Sequence, residues 1–276
     1  ATGLVKVTAE NLGSVSGDVS SDFYEFKSSI FSRESALAYV ENTDLIAAGL
    51  DVSADSSSAY ATRAEDNSIT FRGTVDAHIM NSVVTAGTGG VTVEALDDSS
   101  FSATSYGGGS RSSRNDLDND VTAYASGSTI EVTGGHISIS ADNQTAADAT
   151  STLSTTSDNY FSGGAVFAIN VANGDTTAYA DNDSELRTFN TGNISVTADN
   201  VATLDSKVKA DATTSSISTG PSPSLALGAT MAFNAVGWDM TNLLLGTLGD
   251  FVGDLGTQWL EGLFPFAESI PALTHA

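Results

Sequence analysis

The chain has no cysteine, only four prolines, and ten lysine or arginine residues against 34 aspartates and glutamates, a formal net charge of −24. Without cysteine there is no disulfide to staple the fold and no thiolate to act as nucleophile or metal ligand. So few basic residues exclude a counterion-releasing surface for nucleic acid, and the excess carboxylate repels anionic membranes. From Ala210 to Ala276 there is no lysine or arginine at all. No apolar run reaches the roughly 18 residues of a membrane-spanning helix, and the N-terminus carries neither an initiator methionine nor a signal peptide. Aromatic residues make up 8% of the chain although 40% of it is hydrophobic, so the core must be built mainly from small aliphatic side chains. Glycine is plentiful, at 26 residues. With abundant serine, threonine, alanine and aspartate, it suits short strands and tight turns rather than a helical bundle.

What is present is a repeat. Residues 194–200 read ISVTADN, and the same pattern returns as VKVTAEN at 5–11, LDVSADS at 50–56 and ISISADN at 137–143. A fifth copy, VTVEA, begins at Val91 with its acid displaced by one position to Asp97. Alternation of period two puts the aliphatic residues and alanine on one buried face and the polar residues on the other. The units start near 5, 50, 91, 137 and 194, an interval that signals stacked repeats and one elongated body.

A second column supports this reading. Ala38-Tyr39, Ala77-His78, Ala123-Tyr124 and Ala178-Tyr179 each precede the next unit start and each lead into a corner at Asn42, Asn81, Gly127 or Asn182. Asparagine and glycine tolerate the positive φ that such corners need. Strand, Asn or Gly corner, strand, Gly corner, strand, acidic corner describes one coil of a parallel β-solenoid or β-helix. The fold class expected is all-β, right-handed, with residues 1–235 forming the coils. One or two coils per unit give roughly 25–50 Å of stacked length. GAVFAIN at 164–170 matches GATMAFN at 228–234, a small-residue strand closed by asparagine. Residues 96–120 read as a protruding loop, and residues 10–37 as an aromatic arm.

Residues 236–276 change period. Leu244, Leu248, Phe251, Val252, Leu255, Trp259 and Leu263 recur at three and four, a short helical segment expected to cover a flank or an open end, or to meet another subunit. Asp250 and Asp254 interrupt it as a membrane span. Phe23, Tyr24, Phe26, Phe31, Trp259, Phe264 and Phe266 are the candidate contact residues.

Candidate chemistry is sparse. Stacked carboxylates at Glu10, Asp55, Asp97, Asp142 and Asp199 repel unless screened or bridged. Calcium is the possible cofactor, with Asp116, Asp118, Asp120, Asp181 and Asp183 as oxygen ligands. No EF-hand loop and no glycine-rich calcium-binding nonapeptide is present; solvated acids are the simpler account. Arg111 and Arg114 beside Asp116 and Asp118 form the single mixed-charge cluster, and no Ser/His/Asp set or zinc-ligand spacing occurs. No catalytic residue is assigned, and the chain is read as a non-enzyme. His78 and His136 read as substitutions within the repeat. The acceptor triplets at Asn143, Asn182 and Asn193 are expected to be unmodified.

The copies Ala77–Ala95 and Ala123–Ala141, together with Ala232–Trp238 and Asn242–Leu244, resemble the repeat modules of very large bacterial surface proteins, the filamentous-adhesin-like and leukotoxin-like repetitive group. The resemblance spans nearly the whole chain through degenerate motifs. It implies a structural or adhesive segment of an extracellular or cell-surface fibre, adhesin stalk or surface layer. Partners would be copies of itself or further repeats of a parent chain, and both ends read as cuts through a longer array. A glycan- or protein-binding module on the same scaffold is the second expectation, and a β-helix polysaccharide-active enzyme the third.

Overall fold

The computed structural model describes residues 3–18, 27–108, 110–157, 161–214 and 225–237. They form seventeen strands and no helix, and the ladders among them run parallel, an arrangement consistent with a β-solenoid. The first coil comprises β1 (Leu4–Asn11), β2 (Ser14–Asp18), β3 (Lys27–Glu41) and β4 (Asp44–Ala47). The second repeats it as β5 (Gly49–Ser56), β6 (Ala59–Ala64), β7 (Asp66–Met80) and β8 (Val83–Ala86). The third is β9 (Val91–Gly107), β10 (Arg111–Ser126) and β11 (Thr129–Thr133). The fourth is β12 (Ile137–Ser157), β13 (Phe161–Asn173), β14 (Thr176–Asp181) and β15 (Glu185–Phe189). Of the fifth, β16 (Ile194–Thr214) and β17 (Leu225–Val236) are described.

Each coil visits three sheets in turn. Sheet A is ordered β1-β5-β9-β12-β16, sheet B β3-β7-β10-β13-β17 and the short sheet C β4-β8-β11-β15. The five unit starts fall in one register: Val5 pairs Leu50, Leu50 pairs Val91, Val91 pairs Ile137 and Ile137 pairs Ile194. One unit is therefore one coil, and five coils at about 4.8 Å each give about 24 Å of stack.

Two of the three corners are where the sequence puts them. Asn42, Asn81, Gly127 and Asn182 all take positive φ between sheets B and C. The first three corners are each tied to the next coil by the backbone N–H that follows them, which donates to a serine hydroxyl one coil on: Thr43 N–H to Ser82 Oγ at 3.1 Å, Ser82 N–H to Ser128 Oγ at 3.1 Å, and Ser128 N–H to Ser184 Oγ at 3.3 Å. Glycine forms the turn from sheet C back to sheet A. At Gly90 (φ 73°) a Cβ would lie 2.5 Å from the His136 carbonyl oxygen of the next coil, so no side chain fits.

The third corner is not acidic. Sheet A runs on past the acids, without a break in β9, β12 and β16, and turns into sheet B only near 65 and 108–110. Residues 96–120 accordingly lie in two strands, β9 and β10, and not in a loop, because Phe101, Ala103 and Leu117 alternate inward and are buried there. Each coil is a long A–B sandwich closed at one end by sheet C. The core has a section at the three-sheet end (Leu50, Val52, Ile79, Val84, Val93, Ile130, Ile139) and an aromatic one between A and B (Tyr60, Ile69, Phe71, Phe101, Leu117). Each such fully buried side chain contributes about 1.5–3 kcal/mol. Of the tail expected to be helical, only Val236 and Gly237 are described; the rest of 236–276 lies outside the described residues. Among the described residues no helix is long and apolar enough to cross a membrane.

Candidate functional site

Two features stand out from the repeat, one outside the coil and one inside it. Outside, equal register on β3, β7, β10 and β14 stacks Tyr39, His78, Tyr124 and Tyr179. Their ring centroids are 5.4, 4.7 and 5.0 Å apart, with planes within 13°, 16° and 8° of parallel. His78, in the tyrosine column as the sequence indicates, is sandwiched until only 6% is exposed. Its Nδ1 lies 2.6 Å from Asp76 Oδ1 and its Nε2 3.1 Å from Glu41 Oε1, so both ring nitrogens are clamped by carboxylates. Burial, and then the charge of Asp76, pushes the Tyr124 phenol up to about 12. Burial followed by Asp181 raises Tyr179. Tyr124 and Tyr179 thus present un-ionised phenol edges flanked by acid. Both ring faces of His78 and of Tyr124 are taken up within the column, while Tyr39 and Tyr179 are more exposed than His78.

The calcium candidates are distributed rather than gathered. Asp116 and Asp118 face outward from β10 and pair with Arg72 at 3.6 and 3.4 Å, and Asp116 also pairs with Arg114 at 3.1 Å. Asp120 Oδ1 accepts the Asp175 backbone N–H at 3.0 Å. Asp181, which pairs with Ser126, sits six register positions farther along, about 20 Å at strand rise. Asp183 follows it in the Asn182 corner. Among the described residues no three or more His, Cys, Asp or Glu gather as a metal cluster. Arg111 leaves the mixed-charge cluster: it points inward and pairs with Glu65 at 3.4 Å.

The outward acids Glu10, Asp55, Asp142 and Asp199 do share one column, and Leu96 interrupts it in the third coil. Beside that gap, burial and the nearby Asp55, Asp51 and Asp142 raise the Glu94 carboxyl. Of the contact candidates, Phe31 faces outward, 63% exposed, with the Arg33 guanidinium 5.5 Å from its ring centre. Phe23, Tyr24, Phe26, Trp259, Phe264 and Phe266 lie outside the described residues.

Inside the coil, a polar seam separates the two apolar sections. Displacing the acid of the third unit by one residue turns Asp97 inward, in register with Ser56 and Asn143 rather than with the outward acids. Asp97 is 1% exposed. Its oxygens accept from Ser99 Oγ at 2.7 Å and from Asn119 Nδ2, across in sheet B, at 2.8 Å. Burial outweighs these donors and Ser56, and its carboxyl is raised to about 6. In the first coil Glu34 reaches across the other way to Asn11 Nδ2, at 2.6 Å, and to Ser58 Oγ. Toward the far corner the ties are amides. Asn115 Nδ2 donates to Asp148 O and to Asn170 Oδ1, both at 2.8 Å; Asn170 Nδ2 donates to Asp205 O at 2.8 Å and Asn234 Oδ1 at 3.0 Å. The recurrent GAVFAIN and GATMAFN asparagines are therefore cross-braces between sheets. The one-residue displacement of Asp97 is the sequence signal for the seam; Glu34 offers none.

No family model, curated protein or solved structure matches the chain.

Proposed function

We propose that this chain is a non-catalytic scaffold segment of a large extracellular or cell-surface bacterial protein, a fibre, adhesin stalk or surface layer of the repetitive adhesin-like kind. The observation that carries the reading is the unbroken register through five coils, since a stack braced in this way is stiff along its axis and extendable by further coils. The coil winds right-handed, the sense that parallel crossover connections overwhelmingly take. Acid on the outward columns keeps such a rod soluble. Electron microscopy is the test. Rods one coil wide that lengthen as repeats or copies are added support it, and compact particles that turn over an acidic polysaccharide overturn it. The exposed Phe31 favours a second reading, a glycan- or protein-binding module. Glycan-array binding lost on Phe31→Ala would promote that reading over a bare scaffold.

A further inference from the structure

Charge on the outer side of sheet B does not balance from coil to coil. Equal register puts Arg33 of β3, Arg72 of β7 and Asp118 of β10 in one outward column, so the order across the first three coils is base, base, acid. Arg72 turns towards the third coil: its Nε lies 3.4 Å from Asp118 and its Nη1 3.6 Å from Asp116, which also takes Arg114 at 3.1 Å. Both acids are thereby engaged. Among the described residues Arg33 makes no ion pair and no hydrogen bond; its one recorded contact is with the Phe31 ring. Like charges directly opposite each other on neighbouring strands are destabilising, so Arg33 beside Arg72 is a local cost that an added carboxylate would offset.

Phe31 stands next to Arg33 on the same face, 63% exposed, with the guanidinium 5.5 Å from its ring centre. Attraction between the cation and the ring quadrupole holds the guanidinium near the ring instead of leaving it to range through solvent. Hydroxyls surround the pair. Ser29 and Ser35 lie on β3, and Ser68, Thr70 and Thr74 on β7, with Thr70 directly opposite Phe31. From Lys27 to Glu41 the outward side of β3 carries two bases, Lys27 and Arg33, and one acid, Glu41, which is held by His78. In a chain with a net charge of −24 this strip is locally positive.

We propose that this strip binds an acidic glycan, with the carboxylate of a uronic acid residue paired to Arg33 and the apolar C–H face of the same sugar laid on Phe31. Each part of the surface answers one part of that ligand. The planar guanidinium matches a carboxylate in bidentate fashion. The exposed ring gains by covering apolar C–H surface, and the serine and threonine hydroxyls exchange hydrogen bonds with those of the sugar. A small inorganic anion would use Arg33 and leave Phe31 in water. An acidic peptide would meet the charge and bring no array of hydroxyls to Ser29, Ser35 and Thr70. A second copy of this chain would bring its carboxylates with a charge of −24 of its own, and the two would repel. The assignment rests on the binding-module reading of Phe31 and gives that module its ligand class; the stiffness of the scaffold does not depend on it.

Calorimetric titration of the full chain with an oligogalacturonate tests the contact. Its methyl ester, the same sugars without free carboxylates, and poly-L-glutamate, carboxylates without sugars, are the other arms. The oligogalacturonate should bind, and each of the other two at least about tenfold more weakly. Arg33→Gln and Phe31→Ala should each weaken oligogalacturonate binding about tenfold; both side chains are exposed, so neither change reaches the core. Lys209→Gln removes the same charge from a lysine already paired with Asp211 at 2.8 Å, and should leave the affinity unchanged. Absence of oligogalacturonate binding overturns the proposal, as does poly-L-glutamate binding equally well or Lys209→Gln weakening binding as much as Arg33→Gln. Equal binding of the methyl ester, lost in Phe31→Ala, overturns the carboxylate assignment while keeping the binding module, so the two failures are told apart.

Discussion

Asp97→Asn tests the polar seam most directly, because it removes a charge and almost nothing else. The carboxyl is buried and its folded value is about 6 against an ordinary 3.8. A group raised on folding contributes stability that is fully present below its unfolded value and is lost as pH rises through the folded one. Asp97 therefore favours the coil below pH 4 and opposes it above pH 6. A rise of that size, about two on the pH scale, corresponds to about 3 kcal/mol. The neutral amide fits the site: Asn143 occupies the same column one coil on, and Ser99 can still donate to the remaining oxygen. A turn of the Asn119 amide would aim its Oδ1, which now has no partner, at the new N–H. With some loss in rearranged hydrogen bonds, the variant should be about 2–3 kcal/mol more stable than the parent at pH 7. That is a urea midpoint shift of about 1 M for an m value near 3 kcal/mol/M. The difference should shrink toward zero as pH falls to 4. Subtracting the two pH profiles isolates Asp97 from the other carboxylates, Glu94 included. A variant less stable than the parent at pH 7, or a difference that does not change between pH 4 and 7, would refute the buried-charge account.

Phe71→Ala should cost about 3–5 kcal/mol by urea denaturation, since Phe71 is fully buried and its ring centre lies 4.9 Å from that of Phe101 and 5.6 Å from that of Tyr60. Asn81→Gly should be near neutral, as Gly127 fills the same corner of the next coil, whereas Asn81→Val at φ 49° should cost about 1–2 kcal/mol in the same assay. Chelator should leave the melting temperature unchanged, because Asp116 and Asp118 already face Arg72; a clear drop would show bound calcium. Asn170→Leu keeps the branched outline of the side chain but breaks the ladder from Asn115 to Asn234, and should cost about 1–3 kcal/mol with faster amide exchange at the ends of β13 and β16.

The unit starts, the Asn42–Asn81–Gly127–Asn182 corner, the Tyr39 column and the pairing of Gly164–Asn170 with Gly228–Asn234 are all legible in the sequence. Each is a local pattern in which alternating aliphatics or a positive-φ residue states its own geometry. The third corner is not legible, and the cause is specific. Inward positions of the A–B sandwich are often Ser99, Asn115, Asn143 or Ser151 rather than Val or Ile. A strand whose inward residues are polar reads as a loop when alternation of hydrophobicity is the only guide. Asp97 is misplaced for a related reason. As one acid among several in similar positions it counts as a corner residue, although a displacement of one position reverses the side to which a strand residue points.

A parallel stack of similar coils has a particular hazard, and the seam bears on it. Sliding one coil by two residues keeps every aliphatic on the inward face, so the hydrophobic pattern alone penalises that slip weakly. The amide and carboxylate braces penalise it strongly. Displaced by two, Asn170 would no longer meet Asp205 O or Asn234 Oδ1, and Asn119 would no longer meet Asp97. Each buried polar group left without a partner costs about 1–3 kcal/mol. The small aliphatics can then supply the bulk of the stability while the polar seam selects one register. A core of alanine and valine with few large, shape-specific side chains needs such a selector, and in this chain it falls to asparagine, serine and one buried aspartate.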